Sequence, residues 1–167
     1  DKGQMWIGTT TDGAYRLQLD KNELTHPILK GNITSIYQDS EGELWIGSWE
    51  EGLHHVKADG EIEVFEYDAK NPCSISSNFV RACCEDNLGN IWIGTFNGLN
   101  RYDKSTGLFQ NHTASDAQND GLTHSSIWCI VKDNQGTLWL GTYFGGVNYF
   151  NPEYEIYSRY MSSPIDK

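Results

Sequence analysis

The sequence predicts an all-β protein, four β-propeller-type sheets in succession, and three observations carry that prediction. A Trp-Ile/Leu-Gly-Thr/Ser string occurs four times, at Trp6-Ile7-Gly8-Thr9, Trp45-Ile46-Gly47-Ser48, Trp92-Ile93-Gly94-Thr95 and Trp139-Leu140-Gly141-Thr142. The tryptophans are 39, 47 and 47 residues apart, a period at which propeller blades recur. Composition agrees: 13% of the 167 residues are aromatic, with six Trp, 17 Gly and only four Pro, and aromatic side chains fit pleated, half-buried surfaces. Finally, Asp-x-x-Gly stands before the tryptophan in three copies, at Asp39-Gly42, Asp86-Gly89 and Asp133-Gly136. That is turn chemistry, because the carboxylate bonds backbone amides and glycine supplies a positive φ.

Each unit reads as the same elements in the same order. The first strand is Ile33-x-x-Ile36, Val80-x-x-Cys83 and Ile127-x-x-Ile130. The Asp-x-x-Gly turn joins it to the Trp strand as a hairpin. A second glycine then opens the third strand, at Gly52-Leu53, Gly98-Leu99 through Tyr102, and Gly146-Val147 through Phe150. An aromatic segment closes the unit, around Phe65-Tyr67, Phe109-Asn111 and Tyr157-Tyr160. The product is a four-stranded antiparallel meander with two apolar faces. One such sheet cannot bury both faces, so it must stack on its neighbours, and radial stacking gives a propeller. Trp6, Trp45, Trp92 and Trp139 are expected to fill the interfaces between sheets, and the glycine after each to let the next sheet approach closely.

The repeats are expected near residues 1–31, 32–78, 79–125 and 126–167, the first without its Ile-x-x-Ile strand. Residues 161–167 read as a loop toward a further blade. The chain is therefore expected to be a partial propeller whose outer sheet faces meet other blades of a parent protein or another copy.

The net charge of −11 excludes the basic footprint of a nucleic-acid binder and opposes docking on anionic lipid. No apolar run approaches the roughly 20 residues of a membrane span. Cys73, Cys83, Cys84 and Cys129 show no CxxC spacing and read mainly as small hydrophobes filling the sheets. A disulfide through Cys129 stays open. The adjacent pair Cys83 and Cys84 must point to opposite faces, as must His54 and His55. With His26, His112 and His124 scattered elsewhere, no metal site or cofactor is expected.

The pattern Ile-x-x-Ile-x-x-Asp-x-x-Gly-x-Leu-Trp-Ile-Gly-Thr, followed by Gly-Leu-x-x-Tyr, resembles the two-component regulator propeller repeat. Residues 127–150 match it most fully, 80–103 with Cys83 in place of the second Ile, 33–56 with His54-His55 in place of a polar-aromatic pair, and 3–16 in their later half only. The resemblance implies part of the periplasmic sensor region of a bacterial hybrid two-component system, in which propellers perceive carbohydrate fragments. The kinase, receiver and DNA-binding modules implied for the parent are not in these residues, so none of them is expected to be catalytic.

Propeller topology points to one ligand face, formed by the loops between second and third strands together with those entering the first strand. The former are Thr10-Thr11-Asp12, Trp49-Glu50-Glu51, Phe96-Asn97 and Tyr143-Phe144-Gly145. The latter add Asn78, Arg81, His124 and Trp128. Aromatic platforms beside polar groups suit sugar rings, whose C–H faces stack while their hydroxyls hydrogen-bond. An oligosaccharide is thus the expected ligand. Two other readings stay open: a propeller enzyme of lyase or glycosidase type, which would need clustered acid and base groups, and a purely protein-binding propeller, which would favour a flat charged face.

Overall fold

A computed structural model describes residues 3–25, 27–114, 121–154 and 156–160. His26 and the loop expected over 161–167 lie outside the described residues. Among those described there is no helix, and fifteen strands form four sheets. The first holds β1 (Gln4–Gly8), β2 (Ala14–Gln18) and β3 (Glu23–Leu24). The second holds β4 (Ile33–Gln38), β5 (Leu44–Ser48), β6 (Leu53–Val56) and β7 (Ile62–Phe65). The third holds β8 (Val80–Glu85), β9 (Ile91–Thr95), β10 (Gly98–Asp103) and β11 (Leu108–His112). The fourth holds β12 (Ile127–Lys132), β13 (Leu138–Thr142), β14 (Val147–Asn151) and β15 (Ile156–Tyr160). Every sheet is an antiparallel meander in chain order, the blade architecture of a β-propeller.

The turns carry more than the sequence reading assigned them. In the second sheet the amides of Glu41 and Glu43 donate to Asp39 Oδ1, while the Trp45 indole donates to Asp39 Oδ2 at 2.9 Å. The same indole bond recurs at Trp92–Asp86, 2.7 Å, and Trp139–Asp133, 2.9 Å. One carboxylate thus shapes the hairpin and satisfies the polar edge of the large side chain it delivers to the core. At the other end of the Trp strand the hydroxyl of Thr9, Ser48, Thr95 or Thr142 donates to the carbonyl of the glycine that opens the third strand. It also accepts an amide from inside the turn.

Sheets stack through these same strands. Trp45 packs with Ile75, Val80, Ile91 and Tyr102, so it bridges the second sheet to the third. Trp92 packs with Ile127, Leu138 and Phe150, bridging the third to the fourth. Trp6 is half-buried against Ile33, Leu44 and Ile46. Trp139 is also half-buried, among Tyr149 and Tyr160 of its own sheet, so the interface role expected of all four is fully developed at two. The glycine sockets are real. A Cβ at Gly8 would lie 2.7 Å from Ile33 Cγ2, at Gly47 2.6 Å from Val80 Cγ1, and at Gly94 2.8 Å from Ile127 Cγ2. In each case the β-branched residue that starts the next sheet occupies the space a side chain would need.

The adjacent cysteines divide as strand geometry requires, Cys83 into one inter-sheet core and Cys84 into the next. All four cysteines are free. The filler reading holds for Cys83 and Cys84, which are buried; Cys129 is exposed and Cys73 only half-buried, because Cys129 lies on the open side of a strand that starts irregularly.

Candidate functional site

That irregularity builds the site. In each complete sheet the first strand breaks register at its second residue. Ile33 pairs with Ser48 but Ser35 with Gly47, leaving Thr34 unpaired. Val80 pairs with Thr95 but Ala82 with Gly94, leaving out Arg81. Ile127 pairs with Thr142 but Cys129 with Gly141, leaving out Trp128. These are β-bulges, which insert one residue and re-aim its side chain. Without them the Ile-x-x-Ile spacing could not place both apolar residues on one face, since strand side chains alternate with a period of two. Arg81 and Trp128 therefore lie inside strands β8 and β12, a correction to their expected place in the entering loops.

The three bulged side chains converge. Thr34 donates its hydroxyl to the Val80 carbonyl of the next sheet at 2.6 Å. The Arg81 guanidinium carbon lies 4.0 Å from the ring centre of Trp49 and 4.0 Å from that of Trp128, so indoles from the second and fourth sheets flank a cation from the third. Trp128 stacks on Tyr143 at 5.4 Å and 17°. Tyr143 meets Phe144 edge-on at 4.2 Å, and Phe144 meets His124 at 6.1 Å. On the other side Trp49 contacts Phe79 at 5.6 Å, and Phe79 contacts Phe96 at 6.1 Å. The result is a belt of rings along one end of three sheets. Within it, a cavity of about 480 Å³ is lined by Thr10, Asn32, Ile33, Thr34, Trp49, Arg81 and Trp128.

Seven of the expected residues thus join one belt: Trp49, Arg81, Trp128, Tyr143, Phe144 and His124 by direct ring or cation contact, and Phe96 through Phe79. Glu50 and Asn97 are exposed beside it. The Asn97 backbone N–H donates to the Thr95 hydroxyl and its side-chain Nδ2 to the Ser76 carbonyl at 3.5 Å, so it serves the local backbone. Asn78 likewise receives the Tyr67 amide at 2.6 Å and holds backbone. His124 accepts the Ser126 amide on Nδ1. Phe79, Thr34 and Asn32 were missed by sequence reasoning, whereas Thr10 lines the cavity from an expected loop. For Thr34 the signal was available, because it occupies the bulge position of Arg81 and Trp128.

The opposite end of the sheets is polar and already bonded. Lys104 bridges Asp39 at 3.0 Å and Glu41 at 2.8 Å in the preceding sheet, and Glu85 accepts the Ser40 amide and hydroxyl across the same interface. Asp39, Glu43 and His55 come within 4.8 Å of one another here. Their donor atoms are engaged: Asp39 by Trp45, Lys104 and two amides, and Glu43 by His55 Nε2 at 2.7 Å. His55 itself stacks on Trp45 at 3.9 Å, taking the aromatic place in its repeat. The cluster is a structural network.

Comparison with known proteins gives a consistent picture. The family model of the two component regulator propeller matches residues 27–50, 74–97 and 121–144. No curated protein matches the sequence. Among solved structures, the extracellular domain of the B. thetaiotaomicron protein BT3049, described as a hybrid two component system, superposes with a TM-score of 0.78 at 18% identity, over 96% of this chain and 23% of that one. The extracellular domain of BT4673 from the same organism, described as a one component system, gives 0.74 at 23% identity over 95% and 24%. Virginiamycin B lyase from Staphylococcus aureus gives 0.68 at 16% identity over 99% and 58%. At these identities the likeness is one of fold. The chain spans about a quarter of the length of the two extracellular domains.

Proposed function

From its two-component regulator propeller repeats we propose that this chain is a non-catalytic, ligand-sensing part of the extracytoplasmic region of a hybrid two-component system, and that its ligand is an oligosaccharide. The observation that carries the reading is the stack of Trp49, Arg81, Trp128 and Tyr143 beside the cavity of about 480 Å³. Exposed rings edged by hydroxyl and amide groups are what a sugar needs: apolar faces for its C–H patches, and Thr10 and Asn32 for its hydroxyls. The volume lies within the roughly 300–1,000 Å³ of ordinary small-molecule sites. Glu50, Asn97 and Phe96 flank the platform where a longer glycan would run. The periplasmic placement rests on the extracellular domains that share the fold.

The enzyme reading has the lyase fold in its favour, but among the described residues the cavity lining offers no carboxylate, histidine or other group that exchanges a proton near neutral pH. General acid–base chemistry needs such a pair within reach of the substrate. A protein-binding propeller is less suited to a concave aromatic site than a glycan.

The test is calorimetric binding against a panel of plant and host oligosaccharides, with Trp128→Ala and Trp49→Ala beside the parent chain. We expect at least one glycan to bind and each substitution to weaken it by about tenfold or more, as loss of a stacking platform does. Failure of every glycan, or binding indifferent to both substitutions, overturns the reading.

A further inference from the structure

Arg81 is an unusual residue to find where it is. Among the described residues it is the one cation lining the cavity, in a chain whose net charge is −11. Yet it makes no ion pair with any carboxylate among the described residues. Trp49 and Trp128 lie 4.0 Å from its Cζ and cover its faces, which leaves the N–H edge. On that edge Nε is buried and has no hydrogen-bond partner among the described residues, a state shared by Arg16 and Arg101 Nε; Arg81 differs in being clamped between two indoles beside the cavity. Burial lowers the Arg81 pKa, and no neighbouring charge raises it again, which agrees with the missing counter-ion.

Buried polar groups are normally satisfied, and each exception in a native structure calls for an explanation such as an absent ligand. A guanidinium edge presents parallel N–H donors that match a carboxylate or sulfate in bidentate fashion, and two flanking rings hold it in that orientation before any ligand arrives. A neutral sugar hydroxyl uses only one of those donors at a time. Resting on the oligosaccharide reading and deepening it, we propose that the site selects anionic sugars, binding a carboxylate or sulfate of the ligand on the free edge of Arg81 while a ring stacks on Trp128 or Trp49. The acidic chain repels anions at long range, so the attraction acts at contact, inside a Debye length of about 8 Å.

The experiment follows the Arg81 Nε–Hε resonance, displaced by the ring currents of two indoles, while the chain is titrated with glucuronate, glucose 6-sulfate and neutral methyl glucoside. The expected result is a saturable shift with one or both anions, at a concentration about tenfold or more below any effect of methyl glucoside. Arg81→Gln, followed through the indole signals of Trp49 and Trp128, should abolish the preference, with the indole signals of Trp45 and Trp92 reporting that the variant is folded. Glucuronate alone would assign the edge to carboxylates, and the sulfate alone to sulfated sugars. No saturable anion shift, or a preference that survives Arg81→Gln, overturns the proposal. The two readings separate cleanly. Glucuronate or glucose 6-sulfate captured by Arg81 with no oligosaccharide of the panel bound would sink the oligosaccharide reading and leave anionic monosaccharides as the ligand; neutral glycans on the tryptophans with Arg81 silent would sink only this proposal.

Discussion

At the scale of the residue, the recurring Asp–Trp pair links folding to pH. Burial alone would raise the Asp39 carboxyl, but bonds from the Trp45 indole, Lys104 and the Glu43 amide outweigh it and hold its pKa below the usual 3.8. Asp133 is lowered in the same direction, chiefly by the Trp139 indole. A depressed carboxyl contributes stability in full above its unfolded pKa and loses it as pH falls through the folded one. His54 is lowered from 6.5, above all by burial, so the unfolded chain takes up its proton first and stability falls once pH drops below 6.5. The melting temperature should therefore be flat near pH 7–8, decline below about 6.5 and decline again below about 3.8. His54→Gln should remove the first step and leave the second. Trp45→Phe, which keeps the ring but removes the indole donor, should cost about 1–2 kcal/mol in a denaturant titration. Thiol chemistry divides likewise. Burial pushes Cys83 up to about 12 and raises Cys84, so a thiol reagent should modify exposed Cys129 in the native chain and reach Cys83 and Cys84 only on unfolding.

At the scale of the element, the bulged first strand and the Trp strand cooperate. The bulge at Thr34, Arg81 or Trp128 turns one side chain out toward the cavity while keeping Ile33 and Ile36, Val80 and Cys83, or Ile127 and Ile130 on the core face. The glycine of the Trp strand accepts the first residue of the next sheet's strand. Gly94→Ala should therefore cost about 1–3 kcal/mol by overpacking Ile127, read by chemical denaturation. Gly121→Ala, with open space around it and no positive φ, should change stability by less than about 0.5 kcal/mol. The glycine socket was legible in the sequence, because an invariant spacing between Trp and Gly in all four units demanded a common cause. The bulge was written there too, in apolar residues three apart on a strand, and went unread. It was instead credited to loops, which misplaced Arg81 and Trp128 by an element while leaving them at the correct end of the sheet.

At the scale of the whole molecule, the repeat made the all-β architecture readable before any coordinate. Four copies of one multi-residue pattern leave few folds that satisfy them, whereas ligand contacts depend on side chains that differ from unit to unit. Topology supplied the face, and so Trp49, Arg81, Trp128, Tyr143 and Phe144 were found together. It could not supply Phe79, which has no counterpart in the other units, nor show that Asn78 and Asn97 are spent on backbone. Five of the six tryptophans form two classes that a single spectrum can separate. Trp45, Trp92 and Trp139 are tied through their indole N–H to an aspartate, and Trp49 and Trp128 flank Arg81. The most direct test of the account is an indole ¹⁵N–¹H spectrum recorded while the chain is titrated with the tightest glycan of the panel. The Trp49 and Trp128 signals should move and saturate together while those of Trp45, Trp92 and Trp139 hold still. Movement confined to the aspartate-bound set, or saturation that leaves Trp49 and Trp128 unmoved, would contradict it.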